Sequence, residues 1–475
     1  MKSVTKQLLD FVNGLKYIDL TREVIDESKR MIFDCIGVAI AGLKTDKGRF
    51  GLAMANRLGG APEAAIWGTN ARASCGAAAF ANGELINALD YDSLLFPTHA
   101  PPAIIPASLV LAECAGGTGK DLILSTAIGC ELSIRLAKAI RGEKRLFETE
   151  EGSEIGKIVG TKHSVSVVGV AVIAGAAGAG KVIKLNEPKM ANAIGLAAHF
   201  TPIPQARWKS ETPMPMTKYI SAGWASLGEV FAVQLADMGY IADTMALDGE
   251  VGLWRFFGGD RWNPSILLEN LGREWKMLKA VEYKPYPCCR HLHIALDCFY
   301  KIIEENQVSS EDIKSVRVQT QSSIAGGLYM NKQIRDHVSA QFSLPYVIAA
   351  AANGISLAEW QNPDKIGDPR ILRFMDKVYI QPHPDFSKVQ IQEPGSNMTV
   401  VEVVTESKAF KEEGKYPRGL PSPEFLRMTD ADIIKKFRDN VSKVLPREKV
   451  DRAISLMSEL EDVKKISEIV EQVTL

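Results

Sequence analysis

The stretch LILSTAIGCELSIRLAKAI, residues 122–140, decides the fold class of this chain. Its aliphatic and small residues recur at intervals of three and four, which is the periodicity of an α-helix with a buried face. The same pattern runs from Lys6 to about Arg255, and short turn-forming stretches connect the helical runs. Helices this rich in alanine pack closely together. The first half of the chain is therefore predicted to be helical throughout.

The pattern changes near Asn263, where short β-branched runs begin: EWKMLKAVEY, SVRVQTQSS and NMTVVEVVTES. The polar segment KAFKEEGKYPRGLPSPEF is predicted to be a hinge, and capped helices return after Thr429. We therefore predict a mostly α protein. Residues 1–267 and 408–475 form one large all-helical core domain, and residues 268–407 form an inserted, smaller α/β lid domain.

The charge balance excludes several classes of partner. The 475 residues include 56 basic and 57 acidic side chains, so no global field attracts nucleic acid or an anionic membrane.

Seven cysteines are too few for a disulfide scaffold, and the odd number argues against complete pairing. The N-terminus lacks the apolar run of a signal peptide, and the most apolar stretch, residues 165–180, is too short to span a bilayer. We expect a cytoplasmic protein.

Two cofactor patterns fail at a required position. The segment GAAGAGKV, residues 175–182, matches a phosphate-binding loop except that Val182 replaces the Ser or Thr that binds magnesium. It is better explained as the last turn of a helix in which glycine supplies a left-handed cap. The segment CCRHLH cannot easily place four ligands around zinc. We therefore expect no metal and no cofactor.

The segment ANGELINALDYDSLLFPTHAPPAIIPA, residues 81–107, holds two carboxylates and a histidine. Asp90, Asp92 and His99 can do acid-base work, or the aspartates can cap helices while the histidine packs. Spacing alone leaves both interpretations open. Lys218 lies in an otherwise small and apolar segment, where an unpaired ammonium would be costly, and this favours a function for it.

Five segments in fixed order resemble the MmgE/PrpD family: NGELINALDYD, PTHAPPAIIPASLVLAE, KYISAGWASLGEVFAVQLA, KPYPCCRHLH and AQFSLPYVIA. The resemblance covers nearly the whole chain. It implies a helical core with an inserted lid, a small di- or tricarboxylate substrate, catalysis without metal or redox cofactor, and a homodimer. The activities it suggests are those of 2-methylcitrate dehydratases, cis-aconitate decarboxylases and iminodisuccinate epimerases.

The resemblance also implies which residues carry the chemistry. The matched catalytic residues are Asp90, His99, His163, Lys218 and Tyr329, with Lys284 matching a lysine of the lid. Asp90 or a histidine can remove a proton, and a histidine can protonate a leaving hydroxyl. We expect Lys218, Lys284 and Arg290 to clamp substrate carboxylates, since fixed cations stabilise a dianionic intermediate. Tyr329 can equally serve only in packing.

Some positions depart from the family pattern and bear on the substrate. Ser93 and Leu94 replace the usual acidic residues and threonine, so a substrate contact is lost or replaced there. Arg207 adds a charge near Lys218. Cys289 stands where the decarboxylases carry a histidine, which makes decarboxylation the least favoured reaction.

The leading hypothesis is a 2-methylcitrate dehydratase-like lyase of propionate catabolism, which removes a proton next to a carboxylate and eliminates water. The alternatives are an epimerase of a substituted succinate, then a cis-aconitate decarboxylase-like enzyme. A non-enzymatic carboxylate-binding protein is the third class. We assign the remaining histidines outside the matched motifs to structure: His199, His337 and His383.

Overall fold

A computed structural model describes residues 3–141, 167–202, 214–218, 221–257, 262–393 and 395–475. The first ten helices are α1 Val4–Gly14, α2 Arg22–Gly42, α3 Asp46–Leu58, α4 Cys75–Asn87, α5 Pro101–Ala115, α6 Gly119–Arg141, α7 Ala171–Val182, α8 Glu187–Phe200, α9 Ala222–Asp237 and α10 Pro264–Leu268. The later helices are α11 His293–Glu305, α12 His337–Phe342, α13 Leu344–Ala352, α14 Pro363–Ile366, α15 Pro369–Met375, α16 Phe386–Gln392, α17 Asp430–Val441, α18 Arg447–Ser458 and α19 Ser467–Val470. The predicted fold class is confirmed.

The described strands are short. They are β1 Ala64–Ala65, β2 Arg72–Ala73, β3 Leu94–Leu95, β4 Val281–Glu282, β5 Ser315–Thr320, β6 Val378–Pro382, β7 Thr399–Val404 and β8 Ala409–Gly414. Strands β5 to β8 form a sheet in the order β6-β5-β7-β8, in which β5 and β6 are parallel and the other neighbours antiparallel. Helix α11 packs across β7 and β8, and α13 packs near β6. This layered unit is the lid.

The helical core draws on both ends of the chain. Its apolar cluster includes side chains from α1 through α10 and again from α17 to the C-terminus. Helix α17 packs along α2, where the ring of Phe437 meets Phe33 edge-on at 5.5 Å between centroids. Gly37 of α2 permits this approach, since a Cβ there would lie 3.0 Å from the Phe437 ring. The chain therefore returns to its first domain after the lid.

Close helix packing explains the glycines of GAAGAGKV. The segment is the C-terminal half of α7, and a Cβ on Gly178 would lie 2.4 Å from the carbonyl oxygen of Ser125 in α6. The predicted role of glycine as a left-handed cap is wrong. The left-handed residue after α7 is Lys184, with φ of 59°, and the glycines instead bring two helices together.

The segment KAFKEEG is a strand, so the predicted hinge at this position is wrong. Residues 409–414 pair with β7 as the edge strand β8. Its side chains are exposed or half-buried in alternation, and charged residues on its outer face are typical of edge strands that resist further pairing. The sheet therefore continues past residue 407, and the lid's apolar cluster runs from Tyr286 to Val403. The domain limits at 267/268 and 407/408 stay predictions.

Cysteine pairing in the structure is partial. Cys75 and Cys114 form a disulfide between α4 and the end of α5, and the other five cysteines are buried thiols. None of the helices in the described ranges combines the length and apolarity needed to cross a bilayer.

A buried carboxyl group lies inside the helical core. Glu229 of α9 is fully buried, and neither of its side-chain oxygens has a hydrogen-bond partner among the described residues. Gly175 of α7 makes room for it, since a Cβ there would lie 2.1 Å from the carboxyl carbon. Burial raises the pKa of Glu229 well above its usual value, because a desolvated carboxylate is unfavourable.

We predict that Glu229 costs stability at neutral pH. Above about pH 4.3 the unfolded chain loses this proton while the folded chain keeps it, so the free energy of unfolding falls as pH rises, by at most about 1.4 kcal/mol per pH unit. Glu229→Gln should therefore unfold at higher urea than the wild type at pH 7 and show a weaker pH dependence. The exposed Glu311→Gln variant is the control. A Glu229→Gln protein that is less stable at every pH would contradict the assignment.

Candidate active site

Two short strands bring Lys284 to the end of α4. After α4 the chain passes through Asp90 and enters β3, which pairs antiparallel with β4 so that Leu94 faces Glu282. Lys284 comes two residues after the end of β4 and lies beside Asp90. Its Nζ donates to the carbonyl oxygen of Asp90 at 2.8 Å and to the side-chain Oδ1 at 2.9 Å.

A second lysine reaches the same carboxylate. Lys218 Nζ lies 3.4 Å from Asp90 Oδ1 and donates to the side-chain oxygen of Gln341 at 2.7 Å. All three charged side chains, of Asp90, Lys218 and Lys284, are essentially inaccessible to solvent. The second oxygen of Asp90, Oδ2, has no hydrogen-bond partner among the described residues. The site is thus one carboxylate between two ammonium groups.

These charges shift one another's protonation. Burial alone would raise the pKa of Asp90, but the ammonium groups of Lys218 and Lys284 outweigh it and hold that pKa well below its usual value. Burial lowers the pKa of Lys218 to about 8, with Asp90 opposing the shift and Lys47 adding to it. The pKa of Lys284 is raised, because Asp90 outweighs the effect of burial. With both lysines protonated, the cluster carries an excess positive charge suited to an anionic ligand.

The backbone is also unusual at two of these residues. Asp90 has φ of 53° and Lys218 has φ of 40°, both in the left-handed region that non-glycine residues rarely occupy. Such conformations cost free energy and are found at sites where the side chain must point in a particular direction. Two members of one ion cluster share this feature, which supports a functional role for the cluster.

His99 pairs with the second aspartate of the motif. Its Nδ1 lies 3.8 Å from Oδ2 of Asp92, which is fully buried, and His99 itself is partly exposed. The alternative that these aspartates cap helices is not supported, since the N-cap of α5 is Ala100 and α4 ends before Asp90. The imidazole and the carboxylate thus lie within ion-pair distance of each other, and neither aspartate is a helix cap.

The C-terminal helix α17 supports the segment that carries both aspartates. Lys436 Nζ donates to Asp34 Oδ1 at 2.6 Å and to the carbonyl oxygen of Tyr91 at 2.7 Å. The other oxygen of Asp34 accepts from the backbone N–H of Ser93 at 2.7 Å. The loop after α4 is therefore held from the core side by a buried ion pair.

Two buried glutamines hold the same loop from the lid side. Gln341 donates to the carbonyl oxygen of Ala88 at 2.6 Å and to the side chain of Gln361 at 2.8 Å. Gln361 in turn donates to the carbonyl oxygens of Leu89 and Pro287, at 3.0 and 2.5 Å. The sequence analysis missed both residues. The signal for Gln341 was available, since it is a polar residue within the apolar motif AQFSLPYVIA.

A third lysine was also missed. Lys47 is buried at the start of α3, and its Nζ donates to Asn87 Oδ1 at 2.8 Å and to the carbonyl oxygen of Met216 at 3.1 Å. It lies 3.4 Å from a carboxylate oxygen of Glu84. Lys47 thus places a further positive charge near Lys218.

Four of the remaining predicted site residues lie in the described part of the chain. Tyr329 is buried with its hydroxyl 3.8 Å from the sulfur of Cys289, so these two side chains are adjacent. Leu94 is buried within β3. Arg290 donates a hydrogen bond to a side-chain oxygen of Glu282 at 2.9 Å and another to the carbonyl oxygen of Arg418 at 2.6 Å. The second bond joins the lid to the C-terminal segment.

Two predicted residues, His163 and Arg207, lie outside the described residues. Within the part of the chain that the structure describes, no group of three or more His, Cys, Asp and Glu side chains is arranged to hold a metal ion.

Two family models match this chain. The family model for the MmgE/PrpD N-terminal domain matches residues 6–265, and that for the MmgE/PrpD C-terminal domain matches residues 286–462. The chain belongs to the MmgE/PrpD family. The resemblance predicted from the five sequence motifs is thereby confirmed, and the Asp90 cluster lies where the two family domains meet.

Relatives in the MmgE/PrpD family include two mammalian enzymes named cis-aconitate decarboxylase. The human protein is 26% identical, covering 98% of this chain and 94% of its own, and the mouse protein is 25% identical, covering 98% and 92%. A cis-aconitate decarboxylase-like protein of Aspergillus oryzae is 21% identical over 98% of this chain and 96% of its own.

We predict that Asp90 is the member of the cluster whose loss is most damaging to the fold. Asp90→Asn leaves two buried ammonium groups without their carboxylate and should lower the free energy of unfolding by about 3–5 kcal/mol. Lys218→Met should cost less, because Asp90 keeps Lys284 and methionine has a similar volume. Urea denaturation at pH 7 measures both variants, with the exposed Asp10→Asn as control. Equal stability of Asp90→Asn and wild type would contradict this account.

Proposed function

We propose that this MmgE/PrpD protein is a cofactor-free lyase that eliminates water from a small tricarboxylate, as a 2-methylcitrate dehydratase does. The observation that carries the proposal is the buried cluster of Asp90, Lys218 and Lys284, in which positive charge exceeds negative charge. A protein whose formal net charge is -1 thus has local cations for a substrate with several carboxylates.

The cluster supplies the groups that such an elimination requires. Removing a proton next to a carboxylate creates a dianionic intermediate, which the ammonium groups of Lys218 and Lys284 would stabilise. Asp90, with its pKa held below the usual value, is a weak base, and we assign it to holding the two lysines in place. Lys218, with a pKa of about 8, has a basicity suited to proton transfer near neutral pH.

The leaving hydroxyl needs an acid. We assign this role to His99, because it is partly accessible to solvent and stands beside the buried carboxylate of Asp92. In this scheme the uncharged amine of Lys218 takes the proton from carbon and becomes an ammonium group, the carbon–carbon double bond forms, and the hydroxyl leaves as water with the proton from His99. Tyr329 and Cys289 lie side by side in the lid and are proposed to contact the substrate.

Decarboxylation of cis-aconitate is the second candidate, and the names of the relatives favour it. Against it stands Cys289, at the position where the resemblance leads us to expect a histidine in decarboxylases. Epimerisation of a substituted succinate would use the same basic groups on both faces of the carbon. Binding without turnover is the non-enzymatic alternative.

A substrate panel separates these candidates. We expect 2-methylcitrate to give rising ultraviolet absorbance from a new C=C bond, with no release of CO₂ from cis-aconitate and no change in the chirality of iminodisuccinate. Lys218→Met should reduce the rate at least about tenfold, since a charge-assisted contact contributes about 1.5–3 kcal/mol. Faster CO₂ release from cis-aconitate would replace the proposal with decarboxylation, and no turnover at all would leave the binding alternative.

The protein is further proposed to form a homodimer through an apolar face of the core. Helices α3 and α9 both pack on α4 and expose large apolar side chains. Phe50 and Met54 of α3 are 61% and 43% exposed, and Trp224 and Phe231 of α9 are 50% and 48% exposed. Exposed apolar residues at helical spacing on neighbouring helices suit burial against a second copy.

Light scattering at micromolar concentration tests the dimer. We expect the mass of a dimer for the wild type and of a monomer for Phe231→Glu, because the substitution would bury a charge in the interface. Phe425→Glu alters a phenylalanine that is 81% exposed outside this face and should leave the dimer intact. A monomeric wild type would refute the proposal.

A further inference from the structure

His337 is a buried histidine for which the proposed chemistry gives no role. It is the first residue of α12, and its side chain is almost fully inaccessible to solvent. Neither Nδ1 nor Nε2 has a hydrogen-bond partner among the described residues. An imidazole always carries at least one N–H donor, so burying it unpaired costs free energy that a leucine of similar size would not.

The fold places this imidazole beside the cationic cluster. His337 and Gln341 are four residues apart in α12 and therefore lie on one face of the helix. Gln341 on that face accepts from Lys218 Nζ at 2.7 Å. Lys47 approaches from the core, where it is bonded to the carbonyl oxygen of Met216, close to Lys218 in the chain. The positive charges of Lys218 and Lys47 oppose protonation of the His337 ring.

This environment keeps the ring neutral. Burial, and then the ammonium groups of Lys218 and Lys47, lower the pKa of His337 to about 3. A neutral imidazole offers one N–H to donate and one lone pair to accept, and it does not add a third positive charge to the cluster. Such a group suits the recognition of a carboxylate or hydroxyl whose charge the neighbouring lysines already balance.

We propose that His337 is a substrate-binding residue, which donates a hydrogen bond to a carboxylate or hydroxyl of a polycarboxylate ligand held next to Lys218. This inference rests on the proposed function, because it takes the ligand of the Asp90 cluster to be a small polycarboxylate. It assigns a function to a residue that sequence alone placed among the structural histidines. The unpaired ring is then a stability cost that ligand binding offsets.

Binding without turnover tests the proposal. The probe is propane-1,2,3-tricarboxylate, which has the three carboxylates of citrate but no hydroxyl to eliminate, and its affinity is measured by titration calorimetry. His337→Leu removes the hydrogen bond at similar volume, and His337→Gln restores a donor. His199→Leu is the matched control, since His199 lies on α8 and bonds to its own helix at the carbonyl oxygen of Gly195. Melting temperature is recorded for every variant.

We expect His337→Leu to bind the probe at least about tenfold more weakly than wild type, in line with the loss of a hydrogen bond to a charged group. Its melting temperature without ligand should equal or exceed that of wild type, because no buried donor is left unpaired. His337→Gln should recover part of the affinity, and His199→Leu should match wild type.

Three other results would overturn the inference in distinguishable ways. Unchanged affinity in His337→Leu, with wild type binding the probe, would show that the site takes polycarboxylates without His337. A lower melting temperature together with unchanged affinity would mark the residue as structural. Failure of wild type to bind the probe, or any substrate of the panel, would refute both this inference and the proposed function.

Discussion

The structure depends on one constraint: the buried charged groups of Asp90, Lys218 and Lys284 must stay in contact with one another. Taking each ion out of water is expensive, and mutual attraction offsets that cost only when the atoms stay within contact distance. The three side chains come from the end of α4, from the segment before α9 and from the start of the lid, and their contacts lie between 2.9 and 3.4 Å. Core and lid are therefore tied together at this cluster, and any movement of the lid that separated Lys284 from Asp90 would leave a carboxylate and an ammonium partly unpaired in a dry interior.

The rest of the fold supports that point from two sides. From the core, α17 brings Lys436 onto Asp34 and the carbonyl oxygen of Tyr91, which explains why the chain must return to its first domain after the lid. From the lid, Gln341 and Gln361 bind carbonyl oxygens at the end of α4. These groups bond mainly to the backbone, so they position Asp90 whatever side chains surround it. A loop with φ of 53° at a non-glycine residue needs such support, since nothing local favours that conformation.

Sequence periodicity predicted the helical core and the α/β lid because apolar spacing reports directly on burial. It failed at β8, where an edge strand rich in Lys and Glu has the composition of a linker and is recognisable as a strand only through its pairing with β7. The resemblance identified Asp90, Lys218 and Lys284, and the structure brings them together. Gln341 was recognisable as a polar residue within an apolar motif, but Lys47 and His337 could not be found in that way. Lys47 bonds to the backbone carbonyl of Met216, and His337 lies near charges that are remote in sequence, and residue type alone does not record such neighbours.

Burial and neighbouring charges shift the pKa values of these polar groups in different directions, and so give them different chemical roles. Asp90, placed between two ammonium groups, stays ionised and becomes a weak base. Burial lowers the pKa of Lys218 to about 8, whereas the pKa of Lys284 is raised. Of the two lysines that contact Asp90, Lys218 is therefore the more easily deprotonated. Groups whose environments push their pKa values apart are the usual means by which one site supplies both acid and base at neutral pH. A polycarboxylate entering this cluster would add negative charge and raise the pKa of Lys218, so the amine of this lysine would become a stronger base once the carboxylates are in place. Charge balance thus couples binding to the protonation state of the site.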